Sequence, residues 1–155
     1  MTSRFAASLA VSGAAVGLTG WLGGRFTAEG IRAGWYAALA KPDWTPPGWL
    51  IGAVWTLLYA AIAVASSILW RRAPYPAYAV LLAVNLVLNA YWCRLFFSER
   101  RPGAALVEIL VLEATCVGLV ALAARRSGLA AGLLAPYAAW VAFASFLNAS
   151  IVKLQ

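Results

Sequence analysis

Lys41-Pro42-Asp43-Trp44-Thr45-Pro46-Pro47-Gly48-Trp49 leads without a break into the apolar run Leu50–Tyr59. The two halves of this stretch demand different backbones. Pro42, Pro46 and Pro47 fix φ, remove backbone donors and push Lys41 and Thr45 towards extended geometry. From Trp49 there is no helix breaker before Trp70. A rigid, tryptophan-studded turn therefore delivers the chain into a helix long enough to cross a membrane. Trp44 and Trp49 flank the prolines, where an indole suits a membrane–water interface.

Outward from this turn the same pattern repeats. The chain has 155 residues, of which 64% are hydrophobic and 11% charged. A soluble domain has no use for that much apolar surface. The apolar residues fall into five runs, at about 5–26, 49–70, 77–97, 104–124 and 129–154. Each matches the roughly twenty residues that cross a bilayer. The expected fold is all-α, a polytopic bundle of five transmembrane helices forming a single domain over 1–155. Arg4 followed by Phe5–Leu22 also fits a signal peptide, but Gly13, Gly17, Gly20 and Gly24 share one face, as in a retained helix packed closely on its neighbours. Thr27–Ala40 is expected to be a loop with a short amphipathic piece, the natural lid for anything bound between the helices.

The net charge of +7 comes from twelve Lys and Arg against five acids. Arg71-Arg72, Arg100-Arg101 and Arg125-Arg126 sit at the ends of apolar runs, which points to headgroup contact rather than nucleic acid. Basic residues fall on both sides of a five-span topology, so charge does not orient the chain. Cys93 and Cys116 lie inside apolar runs and read as free thiols. Histidine is absent, which removes the commonest metal ligand, general base and axial haem ligand.

Three helices carry aromatic and polar residues along one stripe: Trp55, Tyr59, Ile62 and Ser66; Asn85, Asn89, Trp92 and Phe96; Trp140, Ala144, Leu147 and Ile151. One reading is helix packing, with the amides bridging helices. The other is a pocket with flat aromatic walls, two amides to orient a ligand and space at Ala144, suited to a large, flat, mostly apolar molecule that enters beneath the first loop. Asn85 and Asn89 are costly in a membrane unless satisfied. Glu108 is expected to be structural, and either protonated, near the interface or paired with Arg94 or Arg101; the partner of Glu113 is not evident. Five positions apart, the two glutamates point about 140° from each other and cannot serve one site.

Trp35-Tyr36-Ala37-Ala38-Leu39-Ala40-Lys41-Pro42-Asp43-Trp44-Thr45-Pro46-Pro47-Gly48-Trp49, then Val54-Trp55-Thr56-Leu57-Leu58-Tyr59, resembles the signature of the TspO/translocator protein family. These are the tryptophan-rich sensory proteins, also called peripheral benzodiazepine receptors. Asn89-Ala90-Tyr91-Trp92, Phe96-Phe97, Ala105-Leu106-Val107-Glu108, Pro136-Tyr137-Ala138-Ala139-Trp140 and Leu147-Asn148 follow in family order. The resemblance implies a five-helix bundle in a bacterial cell membrane, often a homodimer. It implies binding of porphyrins such as protoporphyrin IX, and of isoquinoline and benzodiazepine ligands, with no further cofactor required. Tyr36, Tyr59, Asn89, Trp92, Ala144 and Leu147 match pocket-lining positions, and the loop with Trp44 matches the cover. Trp55 and Trp140 match the tryptophans tied to light- and oxygen-dependent breakdown of bound porphyrin. Animal members have Tyr after Leu-Asn in a sterol-recognition motif; Ala149 stands there in this chain.

The first functional reading is thus a porphyrin-binding sensor or carrier in tetrapyrrole and oxidative-stress homeostasis. A photo-oxidative enzyme acting on the porphyrin comes second. A transporter of porphyrin or another amphiphile comes third, since no inverted repeat or broken-helix ion site is visible.

Overall fold

The computed structural model describes residues 2–155, apart from the side chains of Thr2, Ser3 and Arg72. Its elements are α1 (Thr2–Arg32), α2 (Trp35–Ala38), α3 (Gly48–Arg72), α4 (Pro76–Cys93), a π-helical turn (Arg94–Ser98), α5 (Pro102–Ala124) and α6 (Gly128–Lys153). Prolines start two of them. Pro76 and Pro102 stand in the first turns of α4 and α5, where a missing N–H costs nothing. Ser127 caps α6 by accepting from the Ala130 amide at 3.2 Å. Pro136 lies inside α6, which continues through it to Lys153.

Among the described residues, five helices are long and apolar enough to cross a membrane. Their outward faces carry Leu18, Leu57, Val80, Val87, Val107, Val117 and Leu129, all exposed. Apolar surface on the outside of a bundle is what a lipid solvent requires. α1 packs on α3 and α4, α3 on α6, α6 on α5, and α5 on α4. The helices therefore close a ring in the order α1, α3, α6, α5, α4.

The half of this ring remote from the proline turn is solid. Ile62, Leu69, Tyr78, Leu119 and Leu134 are fully or almost fully buried there. Arg126 fastens its rim, with its guanidinium 3.8 Å from the Tyr75 ring centre and donating to the carbonyls of Ala73 and Pro74. The other half, beside the proline turn, is capped by a second apolar cluster of Leu39, Leu95, Phe96, Phe97, Ala105 and Ile151.

Two local features depart from the sequence expectation. α1 does not end near Phe26 but runs on to Arg32. Its last turns dock on the π turn: an added Cβ at Gly30 would stand 2.7 Å from the Phe97 carbonyl oxygen, and Ser98 donates to Glu29 at 2.6 Å. Gly34, at φ 71°, then turns the chain into α2, a conformation that favours glycine. The second departure is the π turn itself, where the Glu99 amide reaches back five residues to the Arg94 carbonyl. The wider turn sends Leu95, Phe96 and Phe97 inward together, where an α-helix would have splayed them.

The glycine face of α1 is also revised. Of Gly13, Gly17, Gly20 and Gly24, only Gly20 makes close contact, its added Cβ falling 3.0 Å from the Tyr59 ring. The tight packing lies instead at Gly23, against the Cys93 Sγ, and at Gly30.

Candidate functional site

Between the five helices, in the half beside the proline turn, lies a cavity of about 570 Å³. That volume falls inside the roughly 300–1,000 Å³ range of small-molecule sites. α3 contributes Ile51, Trp55, Thr56 and Tyr59 to its wall, α4 contributes Asn89, Trp92 and Cys93, and the π turn adds Phe96 and Phe97. α6 supplies Trp140, Val141, Phe143, Ala144, Leu147, Asn148 and Ile151, and Ile109 and Leu112 come from α5. α1 closes the ring with Gly20, Gly23, Gly24, Thr27, Ala28 and Ile31. Tyr36 covers the end.

The sequence stripes explain this convergence. Trp55 and Tyr59 are one helical turn apart and their rings lie 5.5 Å apart, tilted by 36°. Trp92 stacks on Phe96 at 5.0 Å, and Trp140 lies 5.3 Å from Phe143. The walls are thus rings already packed against other rings, which fixes their planes before any ligand arrives.

Few polar groups face the cavity, and most are occupied. Tyr59 donates to Asn89 Oδ1 at 2.7 Å, and Asn89 Nδ2 donates to the Tyr137 hydroxyl at 3.1 Å. Tyr137 donates to Asn85 Oδ1 at 2.9 Å, and Asn85 Nδ2 donates to Thr115 Oγ1 at 2.8 Å. Thr115 finally donates to the Leu112 carbonyl. Each member donates to the next, so one directed chain ties α3, α4, α6 and α5 together. A second link runs from the Trp92 indole N–H to Asn148 Oδ1 at 3.1 Å, and from Asn148 Nδ2 to the Pro102 carbonyl at 2.9 Å.

Eight of the ten residues singled out from the sequence meet in this wall: Tyr36, Trp55, Tyr59, Asn89, Trp92, Trp140, Ala144 and Leu147. Asn85 and Trp44 do not. Asn85 is fully buried below the cavity and spends its amide on Thr115, Cys116 and Tyr137. It bridges helices and is not part of the cavity lining. Trp44 lies outside the bundle, stacked on Phe146 at 5.4 Å and edge-on to Phe143. Its contribution to the cover is indirect, through Phe143.

The cover is held by Lys41. Its ammonium donates to the carbonyls of Tyr36 and Leu39 and lies 4.6 Å from the centre of the Tyr36 ring. Trp35 meets Phe96 edge-on at 5.5 Å, and Tyr36 packs on Phe97 at 5.4 Å. Burial raises the Tyr36 phenol above its ordinary range, so it is a neutral hydroxyl at the cavity end.

Of the alternatives open to Glu108, pairing with Arg94 or Arg101 is not the one adopted among the described residues. Arg94 bonds to Glu99 at 3.0 Å, and Arg101 approaches the same carboxylate at 3.7 Å. Both Glu108 oxygens are buried without a hydrogen-bond partner among the described residues. Glu99, at the helix end and partly solvated, is the easier partner for two arginines.

The α1 wall, Phe143 and Asn148 were not anticipated as site residues. Asn148 was legible in principle, since it lies one turn beyond Ala144 on the α6 stripe. The α1 wall carries no aromatic residue at the cavity, and glycines leave no pattern that separates a packed face from an open one.

The profile of the TspO/MBR family matches residues 11–154. The chain belongs to this family. It is 39% identical over 141 residues to the tryptophan-rich protein TspO of Chlorobaculum tepidum, covering 88% of both chains. It is 40% identical over 134 residues to the translocator protein of Homo sapiens, covering 83% of this chain and 78% of that one. A TspO from Archaeoglobus fulgidus is 38% identical over 138 residues, covering 88% and 89% respectively. With five candidate spans and this membership, the chain is a multi-pass membrane protein of the TspO/MBR family.

Proposed function

We propose that this TspO family member binds a planar tetrapyrrole of the protoporphyrin type in the cavity, as a sensor, regulator or carrier. The observation that supports this most is the shape and chemistry of the wall: Trp55, Trp92, Trp140, Tyr59 and Phe96 surround about 570 Å³ with almost no free polar group. A broad aromatic ligand gains stacking and apolar burial there, and needs few directed hydrogen bonds. The chain has no histidine, so the site suits a metal-free ring better than an axially ligated haem.

Titration of protoporphyrin IX in the dark, followed by tryptophan quenching, tests this reading. Saturable quenching is expected in the wild type. Ala144→Leu fills the cavity and weakens binding by about tenfold, the loss expected when an apolar group of that size blocks a ligand. Absence of saturable quenching, or identical quenching after Trp140→Phe with Asn89→Ala, removes the proposal.

A second reading is favoured by one detail. Trp55 and Trp140 both line the cavity, and the Trp55 ring stands 6.1 Å from the Tyr137 ring on α6. Light absorbed by the bound pigment would let dioxygen add across a bridging carbon–carbon bond of the ring and cleave it, both oxygen atoms staying in the opened product, while an indole lends an electron to the excited pigment and regains it as the bond breaks. Illumination in air should yield a defined product that Trp55→Phe with Trp140→Phe abolishes. Equal bleaching in empty micelles defeats it.

A further inference from the structure

The cavity wall is incomplete on one side. Gly24 of α1 and Gly48, Gly52 and Thr56 of α3 all line the cavity, yet all are exposed on the outside of the bundle. A Cβ added at Gly24, Gly48 or Gly52 would meet nothing within 4 Å. Ile31, also in the lining, is 54% exposed. A residue that walls a cavity and also faces outward stands at an opening. These residues lie along the seam between the last third of α1 and the first third of α3. Deeper in the bundle the seam is shut, where Gly20 meets Tyr59. The loop end is shut as well, by buried Leu39, by Trp35 on Phe96, and by the Lys41 staple.

Aromatic and basic residues flank the seam at both of its ends. Trp21 is 56% exposed and carries the Arg25 guanidinium 5.0 Å above its ring. Across the seam, Trp49 is 74% exposed. Trp49 and Arg32, at the loop end of the seam, mark the zone where acyl chains meet headgroups, while Trp21, next to the Gly20 that closes the seam on Tyr59, stands about 15 Å deeper along α3. Arg25 follows Gly24 directly and Arg32 follows Ile31, and both are exposed. The acid nearest to them in sequence, Glu29, is engaged by Ser98 of the π turn. The α3 side of the opening carries no charge from Gly48 to Trp70.

We infer that this seam is a lateral window through which the cavity's ligand arrives from the bilayer, with Arg25 and Arg32 receiving the acidic groups of a flat amphiphile at its rim. The window itself rests on geometry; the acidic, planar ligand rests on the tetrapyrrole reading above. Such a molecule lies in a membrane with its carboxylates among the headgroups and its apolar body among the chains. It meets the window in the orientation in which its body can slide between α1 and α3 while its carboxylates stay with the arginines. Access beneath the first loop would instead require Lys41, Trp35 and Leu39 to let go together.

Gly24→Phe and Gly52→Phe each place a ring in the open window, and Gly13→Phe, equally unobstructed but outside the lining, is the control. The first measurement uses no porphyrin. Cys93 lines the cavity, so its labelling is followed in a Cys116→Ala background in lipid nanodiscs. Pyrene maleimide, which partitions into lipid, should label it faster than a charged, water-soluble methanethiosulfonate. Either plug should slow pyrene maleimide by about tenfold and the control should not, the behaviour of a gated site. The second measurement is association of protoporphyrin IX preloaded into the nanodisc lipid. Both plugs should slow association by about tenfold, and Gly13→Phe should not. Arg25→Gln with Arg32→Gln should slow protoporphyrin IX by about fivefold and leave its dimethyl ester unchanged, since only the free acid is steered. Unaltered labelling and association in both plugs overturn the window. If the wild type takes up no porphyrin, the ligand reading falls, and Cys93 labelling still decides the window.

Discussion

Tyr59 on α3 donates its phenolic hydrogen to Asn89 Oδ1 on α4 at 2.7 Å, so a residue that walls the cavity is also the first link of the chain that holds four helices together. The link is peripheral to that chain, whereas Tyr137 is central, accepting from Asn89 and donating to Asn85. The two tyrosines should therefore respond differently to loss of the hydroxyl. Tyr59→Phe removes one interhelical bond, worth about 0.6–1.7 kcal/mol in a membrane protein. Tyr137→Phe strands a donor and an acceptor in a fully buried place, at a cost of about 1–3 kcal/mol for each unsatisfied group. Thermal unfolding in detergent, followed by circular dichroism, should place Tm in the order wild type, Tyr59→Phe, Tyr137→Phe. Equal Tm values for the two variants would show that the chain is not cooperative.

The glycines of α1 separate packing from open space. Gly30→Ala drives a methyl group against the Phe97 backbone carbonyl, at 2.7 Å, and backbone cannot move as a side chain tip can. A loss of about 1–3 kcal/mol is expected from overpacking of this kind. Gly24→Ala meets nothing within 4 Å and gains helix propensity, so it should be neutral or stabilising by up to about 1 kcal/mol. The comparison is read from Tm of the two variants under one set of conditions. A larger loss at Gly24 would contradict the docking of α1 on the π turn.

The bundle and most of the cavity wall were legible because both follow from periodicity. Twenty-residue apolar runs give spans, and Trp55/Tyr59, Asn89/Trp92/Phe96 and Trp140/Ala144/Leu147 repeat at helical spacing, so inward faces could be read. Periodicity stops being informative where the period changes. The π turn at Arg94–Ser98 places Phe96 and Phe97 side by side within the bundle, which no 3.6-residue pattern announces. Depth is a second blind spot. Asn85 shares the stripe of Asn89 but lies one turn below the cavity, where Thr115, Cys116 and Tyr137 consume its amide. Trp44 shows a third limit: an indole beside prolines reads alike whether it turns into a cavity or onto the outer ring of Phe146.

Glu108 is 8% exposed, and neither of its oxygens has a partner among the described residues. A buried carboxyl of this kind stabilises nothing by itself and loses hydration on folding. Glu108→Gln should leave Tm unchanged or raise it. Glu108→Leu, of similar volume, should raise it by the equivalent of about 1–3 kcal/mol, the cost of a buried polar group left unsatisfied. A fall of Tm in both variants would reveal a partner that the side chain engages in the membrane.

Lys41 makes the loop a cover rather than a tether. Its ammonium holds the Tyr36 and Leu39 carbonyls together and lies against the Tyr36 ring, while Thr45 closes the proline turn by donating its amide and hydroxyl to the Pro42 carbonyl. Lys41→Met keeps the apolar stem and removes only the donors and the charge. Hydrogen bonds from a charged group contribute about 1.5–3 kcal/mol, but the bundle does not depend on them, so global Tm should change little. Local opening should change instead. Amide exchange across 33–47 is expected to accelerate by about tenfold or more, corresponding to about 1.4 kcal/mol of local stability, with α3 to α6 unaffected. The same variant discriminates the two routes into the cavity. If ligand passes under the loop, association speeds up with loop opening; if it arrives between α1 and α3, association holds at the wild-type rate while exchange rises.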